Sequence, residues 1–508
     1  MLKQRPTALP QGTSRLPFRF VPAPLPLEER ARASIASTAR LQFLITVARS
    51  AVLFAFQWLL ARAYGVSIFG LCNTAQAGMQ TATMLGRAAG DTVVLRGHDE
   101  DHLVRGTTLS LLGGLAAALA LASWGTFFAQ GQQNAAPLIA FGLAAAAVPP
   151  ATLLFPLGAG LQRQDRFGAY ALVVTLLDPL VRLVTLGAAV ILGGPWWWGM
   201  SAFILGGVAS LGTTIVLLQH SLRGLPAHVA APGEHLKVIT FSSLTTISAA
   251  LQTAMMFGAL TVAGSVGSPS DAGLLAAATR VVMLASWIQL AYATPFLPRI
   301  PRLLENPNQH DALQAMYDRV VTSVLWFNGP FLVGLVLAAP GILALFGGEF
   351  VRGAALMGVL AVGQWANSAT ALAEDFLPLS GRSYLALANN AVALGLTAIG
   401  GTLLGWHFGL LGVALAYTGA VVLLNGVRAL QIWHLFRVSI PLATVGRSGL
   451  ACGGTVFVAA LLPAGNALPI AVRFAVGLGG SIVAFTIMYG FASAPERLAL
   501  KALVRGAD

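Results

Sequence analysis

The 508-residue sequence predicts an all-α polytopic membrane protein of about fourteen transmembrane helices: two pseudo-repeated six-helix bundles plus two C-terminal helices around a central cavity. Three observations predict this. Hydrophobic residues make up 56% of the chain and charged residues 9%, against about 25% charged in a typical soluble domain; that is too little charge to coat a water-facing surface. The apolar residues come in solid runs near the length a bilayer core demands, about 20 residues. Landmarks of the first half also recur in the second at a fixed offset. The two cysteines, Cys72 and Cys452, are far apart and sit in apolar surroundings, so they read as small packing residues.

Residues 1–38 differ from the rest. They carry Pro6, Pro10, Pro17, Pro22, Pro24 and Pro26 among six basic residues and lack the apolar core of a secretory signal, which predicts a disordered, basic, cytoplasmic tail. From residue 39 the expected spans are roughly 41–62, 72–95, 107–129, 135–160, 169–193, 197–219, 237–264, 272–298, 319–346, 353–379, 383–405, 408–434, 447–464 and 469–491. Helices are expected rather than barrel strands, because the runs are solid and not alternating.

Charge sets the orientation. Of the 30 basic residues, 22 fall on one side, in the N-terminal tail and at positions such as Arg96, Arg163, Lys237, Arg299, Arg382 and Arg437; the other side holds only Arg62, Arg352 and Arg473. Basic loops stay inside, so both termini are expected in the cytoplasm. The net charge of +12 is then a matter of topology, and no nucleic-acid partner is implied. Pro195-Trp196-Trp197-Trp198 falls at the external interface, where indoles favour the headgroup layer. Outer loops are very short, which leaves no external domain for catalysis.

The repeat is read from three landmarks. Phe69-Gly70-Leu71, with its span ending at Arg96, matches Ala272-Gly273-Leu274, with its span ending at Arg299, at an offset of 203 residues. Leu154 to Gly158 before Arg163 matches Phe376 to Ser380 before Arg382, and Gly199 matches Gly412. The expected organisation is an N-terminal lobe at 39–220, a cytoplasmic linker at 221–236, a C-terminal lobe at 237–436, and helices 13 and 14 with a short tail at 437–508. Duplicated bundles of this kind enclose a cavity that opens alternately to each side. Pro149-Pro150, Pro179, Pro295, Pro298 and Pro330 are expected to interrupt helices as hinges.

A charge at membrane depth costs about 2.5–3.5 kcal/mol on insertion scales and is a functional candidate by default. The deep arginines are Arg49, Arg87, Arg182, Arg280 and Arg428; the deep acids are Asp91, Asp178, Glu374 and Asp375. Arg87 with Asp91, and Asp178 with Arg182, are four apart and share a helix face. The second pair suits a structural role and a cavity role equally. Arg428 and Asp91 lie within about two turns of a cytoplasmic end, where a long side chain snorkels. Arg49 and Arg280 have no acid on their own helix face and are the leading anion-binding candidates. Glu374 and Asp375 point about 100° apart on a helix, so one is expected to meet a coupling ion and the other an arginine. An arginine-rich cavity suits phosphate or diphosphate, because guanidinium is a forked donor that stays charged.

No lysine follows a glycine, so there is no GxxxxGK phosphate loop and no ATPase module in this sequence. His98-Asp99-Glu100-Asp101-His102 holds metal-capable side chains in a short polar link and reads as a solvated charge run; no metal site or cofactor is expected.

Leu60 to Gly70 after the first span, Ala272-Gly273-Leu274 through Arg280, Phe296-Leu297-Pro298-Arg299-Ile300, and Leu379-Ser380-Gly381-Arg382 resemble, in order and spacing, the polysaccharide flippases of the multidrug/oligosaccharidyl-lipid/polysaccharide superfamily. The resemblance covers roughly residues 39–440. It implies two lobes forming a V, and translocation of a polyprenyl-diphosphate-linked oligosaccharide across a bacterial inner membrane for surface polysaccharide, lipopolysaccharide or exopolysaccharide synthesis. It implies cavity arginines on the diphosphate (Arg49, Arg280, Arg87 and Arg182), with Asp91, Asp178, Glu374 and Asp375 in coupling or charge-pair roles. It implies a drive from H+ or Na+ coupling or from membrane potential, and a glycan polymerase and glycosyltransferases as partners. Two members of the superfamily compete: a cation-coupled drug antiporter, and a peptidoglycan-precursor flippase, whose arginine pattern is not clear in spans 1 and 2. A membrane glycosyltransferase or polymerase would need a sizeable outer loop, and a pure scaffold would not need buried charge.

Overall fold

The computed structural model describes residues 27–88, 90–96, 101–130, 135–164, 166–222, 233–297, 299–304, 309–461, 469–493 and 496–497, and every regular element among them is a helix. Ten helices are by themselves long and apolar enough to cross a membrane, eleven if the bent pair Pro269–Val282 and Ala285–Ala293 is one crossing. The expected number of fourteen is therefore not confirmed. The shortfall has a physical reason: two of the ten are 52 and 54 residues long and each covers two of the expected spans, and the expected span 353–379 is broken at Ala371 into helices of 17 and 7 residues.

Both long helices fold back at a glycine. Leu27–Gly86 breaks at Gly65, with φ of 76°, and Ser383–Phe436 breaks at Gly409, with φ of 59°. A side chain on the β-carbon makes such angles costly, so glycine is the residue that permits the reversal. Hydrogen bonds across each bend prove the fold-back. Gln57 Nε2 donates to Gln76 Oε1 at 2.7 Å, and Asn73 Nδ2 donates to Gln57 Oε1 at 3.0 Å. Asn389 and Gln431 exchange two amide hydrogen bonds at 2.7 and 3.0 Å. In a straight helix those last two residues would stand about 63 Å apart, at 1.5 Å per residue.

The first helix starts at Leu27, inside the segment expected to be a disordered tail. Pro26 can precede a helix but not continue one, and the Ala-, Glu- and Arg-rich stretch after it favours helix. The rest of that tail, residues 223–232 of the linker, most of the His98 link and residues 498–508 lie outside the described residues. Three of the expected hinge prolines do not break their helices. Pro149 and Pro150 sit inside Ala136–Arg163, and Pro330 inside His310–Leu337; neighbouring helices let membrane helices absorb such residues. Pro179 opens the helix Asp178–Ile191 directly after a π-helical stretch, Ala171–Leu177. Pro295 lies in the short 3-10 helix Thr294–Phe296, and Pro298 lies outside the described residues.

The two halves meet at the ends of these arms. Ser67 Oγ and Ser270 Oγ are 2.6 Å apart, and their separation in sequence is 203 residues, the offset of the repeat. A β-carbon on Gly70 would run into the Pro269 carbonyl oxygen, and one on Gly273 into the Val66 carbonyl oxygen. Position 70 is to 269 as 273 is to 66, so this is one contact made twice about a pseudo-twofold axis, as in a symmetric dimer. Aromatic rings seal it. Phe69 of the first half meets Phe350 and Phe346 of the second edge-on, with centroids 5.4 and 6.4 Å apart, and Phe54 meets Phe346 at 5.6 Å. Trp58 Nε1 donates to the Leu345 carbonyl at 2.9 Å. The largest buried apolar cluster runs through this junction and joins both halves, including Phe56, Phe203, Leu260 and Leu274. Cys72 and Cys452 are free thiols and buried.

Candidate functional site

Below the junction the halves part around two adjoining cavities. One, of about 690 Å³, is lined chiefly by the N-terminal half, from Gln57 and Gln76 near the junction to Leu95 and Gln162 near the far helix ends. The other, of about 590 Å³, is lined chiefly by the C-terminal half. Gln80, Arg280, Met283, Ser286 and Trp287 line both, so they form the seam of a single cleft.

Arg49, Arg182, Arg280, Asp91 and Asp178 line the first cavity. The π-helical stretch and Pro179 rotate the following turn so that Asp178 and Arg182 both face inward. They form a two-pronged ion pair, through Nε to Oδ1 at 2.7 Å and through Nη2 to Oδ2. The Arg182 guanidinium also lies 4.2 Å over the Phe203 ring, and Gly206 leaves room for the Asp178 carboxylate. Arg49 stands within electrostatic reach of Arg182, Asp178 and Tyr170. It makes no ion pair within 4 Å among the described residues, and neither does Arg280. The Arg280 Nη2 donates to Asn73 Oδ1 at 3.4 Å, a long neutral contact.

Arg87 is placed differently from expectation. It does not line either cavity; it pairs with Asp91 at 3.7 Å and lies 5.3 Å over the Phe155 ring. Nor do the two share a continuous helix. The helix ends at Gly86 and restarts at Gly90, with Ala88 in the left-handed region, so the pair spans a break. Asp91 nonetheless reaches the cavity wall.

The second cavity holds the remaining deep charges. Glu374 and Asp375 both line it. The reason is the break at Ala371: both acids belong to the first turn of the short helix Ala373–Leu379, whose end enters the cavity. Arg428 does not snorkel. It is 2% exposed, its Nη2 donates to Asn390 Oδ1 at 2.9 Å, and its Nη1 lies 4.0 Å from Glu374 Oε2. Gln252 Nε2 donates to Glu374 Oε1 at 2.6 Å. Asp375 has no hydrogen bond or ion pair of this kind among the described residues. The walls are rich in amides that sequence reasoning passed over, among them Gln252, Gln289, Gln364, Asn367 and Asn425. Each is a polar residue within an otherwise apolar segment, and the cost of burying an unpartnered amide was the signal available.

Arg428→Ala is expected to destabilise the protein by about 2 kcal/mol, below the 3–5 kcal/mol typical of a broken buried pair because Glu374 is partly solvated. Arg428→Met, which refills the space, should lose less. Thermal unfolding in detergent measures both; equal losses would show that the lost charge and hydrogen bonds account for the whole effect and that packing adds nothing.

A family model described as polysaccharide biosynthesis protein matches residues 59–353, more than half of the chain. The chain belongs to this family. Among solved structures, this polysaccharide biosynthesis protein is similar to one titled lipid II flippase MurJ, inward closed conformation, at TM-score 0.64 and 15% identity, covering 89% of this chain and 99% of that one. It is also similar to the inward-facing conformation of a multidrug resistance MATE family transporter of the MOP superfamily, at TM-score 0.55 and 14% identity, covering 77% and 98%. The outward-facing conformation of such a transporter gives TM-score 0.53 at 14% identity, covering 79% and 95%. No curated protein matches. The polysaccharide biosynthesis protein is a multi-pass membrane protein with the fold of the MOP-superfamily exporters.

Proposed function

We propose that the protein is a flippase that moves a polyprenyl-diphosphate-linked oligosaccharide from the inner to the outer face of a bacterial inner membrane, for surface polysaccharide synthesis, by alternating access. One observation carries the reading: Arg49, Arg182 and Arg280 converge on one cavity whose two acids are both already paired with arginines. Forked, permanently charged donors with no acid left over suit a diphosphate. The lipid tail would remain in the bilayer while the charged linkage crosses in the cleft. With the halves joined at the Ser67 and Ser270 end and the cleft reaching the opposite ends, the shape fits a state loaded from the cytoplasm. Glu374 and Asp375 are the groups for a coupling ion, H+ or Na+, and glycosyltransferases and a polymerase would stand before and after this step. The family description supports polysaccharide precursors over drugs. The likeness to a lipid II flippase is one of fold at 15% identity and assigns no substrate.

The test is reconstitution in liposomes with a fluorescent polyprenyl-diphosphate oligosaccharide. Lipid reaching the opposite leaflet supports the reading. Extrusion of cationic dyes without lipid movement would replace it with the drug antiporter.

A further inference from the structure

Resting on that reading, we infer that the second cavity seats the sugar head of the substrate, and that it admits neutral or amino-bearing sugars in preference to acidic ones. The two cavities adjoin along Arg280 and Trp287, so a substrate held by its diphosphate in the first has its next groups at the mouth of the second. At about 590 Å³ that cavity is within the range of small-ligand sites, about 300–1,000 Å³.

Its chemistry is that of a hydroxyl binder. An amide side chain offers two donors and an acceptor with two lone pairs, which suits the mixed donor and acceptor character of sugar hydroxyls and acetamides. Part of this array is fixed in place from within: Asn367 Nδ2 donates to Gln289 Oε1 at 3.1 Å, Gln289 Nε2 to the Ala371 carbonyl at 3.1 Å, and Thr370 Oγ1 to Asn425 Oδ1 at 2.9 Å. These bonds orient the amides and leave further lone pairs and hydrogens unused. Gln364 adds a further amide whose Nε2 is buried and without a hydrogen bond among the described residues. A buried donor of that kind gains by meeting a ligand acceptor and loses by meeting none.

Its electrostatics oppose an acidic sugar. The charged groups on its wall are Glu374, Asp375, Arg428 and, at the seam, Arg280. Glu374 is engaged by Arg428 and Gln252. Asp375 lines the space beside it without a hydrogen bond or ion pair of its own among the described residues, so that two carboxyl groups share the field of the one Arg428 guanidinium. A carboxylate on the incoming glycan would sit against Asp375, and like charges in a partly desolvated cleft repel strongly enough to discriminate.

The experiment uses the full chain in lipid nanodiscs and three probes: inorganic pyrophosphate, polyprenyl diphosphate carrying a neutral trisaccharide, and the same lipid with a uronate as the last sugar. The neutral glycolipid should bind about tenfold more tightly than the uronate form. Asp375→Asn should bring the two within about twofold, Asp375→Glu should keep the preference, and Gln364→Leu should weaken the neutral glycolipid several-fold while pyrophosphate still binds. Equal binding of both glycolipids, or a preference that survives Asp375→Asn, overturns the sugar assignment while pyrophosphate binding keeps the flippase reading intact. Pyrophosphate that fails to bind, or binds Arg280→Ala as well as it binds the native chain, brings down the diphosphate reading and this inference with it.

Discussion

Arg280→Ala is expected to slow lipid-linked oligosaccharide transport by about 10- to 100-fold while the protein still inserts normally, and the double variant with Arg49→Ala to abolish it. A hydrogen bond to a charged group contributes about 1.5–3 kcal/mol, and each 1.4 kcal/mol is a factor of ten. Arg280 should deliver that value in full, because among the described residues its side chain makes a single long hydrogen bond, 3.4 Å to the Asn73 amide oxygen, and no ion pair. Arg182, held by Asp178 and stacked on Phe203, has less charge to offer and should show a smaller effect. Arg280→Lys keeps the charge but not the fork, so an intermediate rate is expected. Flipping rates in liposomes, together with surface glycan in cells carrying only the variant, measure this. Normal glycan with both alanine variants would remove the diphosphate clamp.

Ser67→Cys with Ser270→Cys is expected to stop transport completely on oxidation and to restore it on reduction. The serine oxygens are 2.6 Å apart, so the two side chains that would carry the sulfurs already touch. The two native cysteines are buried and offer no competing partner. A covalent bond at this point would forbid the halves to separate, and separation there is what opening toward the other face requires. The double-cysteine protein before oxidation and each single variant serve as controls. If the oxidised protein moves lipid at the native rate, the junction is not a gate.

Much of the architecture was legible in the sequence because a bilayer leaves the chain few options: solid apolar runs become helices, and the reversals fall at Gly65 and Gly409, where the expected spans adjoin. The offset of 203 residues was also legible, and it reappears as the Ser67 and Ser270 contact. The cavity positions of Arg49, Arg182 and Arg280 followed from the cost of burying charge. Three features were not legible. Arg428 lies near a helix end in sequence, but its partners, Asn390 and Glu374, come from elsewhere in the fold. The shared orientation of Glu374 and Asp375 depends on a helix break at Ala371 that no proline or glycine announces. The amide walls of the second cavity comprise single residues scattered over several helices, and only tertiary packing gathers them.

The pseudo-symmetric junction also bears on how the chain is made. Its two surfaces are self-complementary, yet 203 residues separate their synthesis. At a translation rate of about 5–20 residues per second, the segment around Gly70 waits roughly 10–40 s in the membrane before its true partner emerges. During that interval the surface best suited to cover it belongs to the nascent first half of another copy. Crowded ribosomes on one message would thus place this protein at risk of pairing with its neighbour, and slow initiation or an insertion factor shielding the first hairpin would protect its yield.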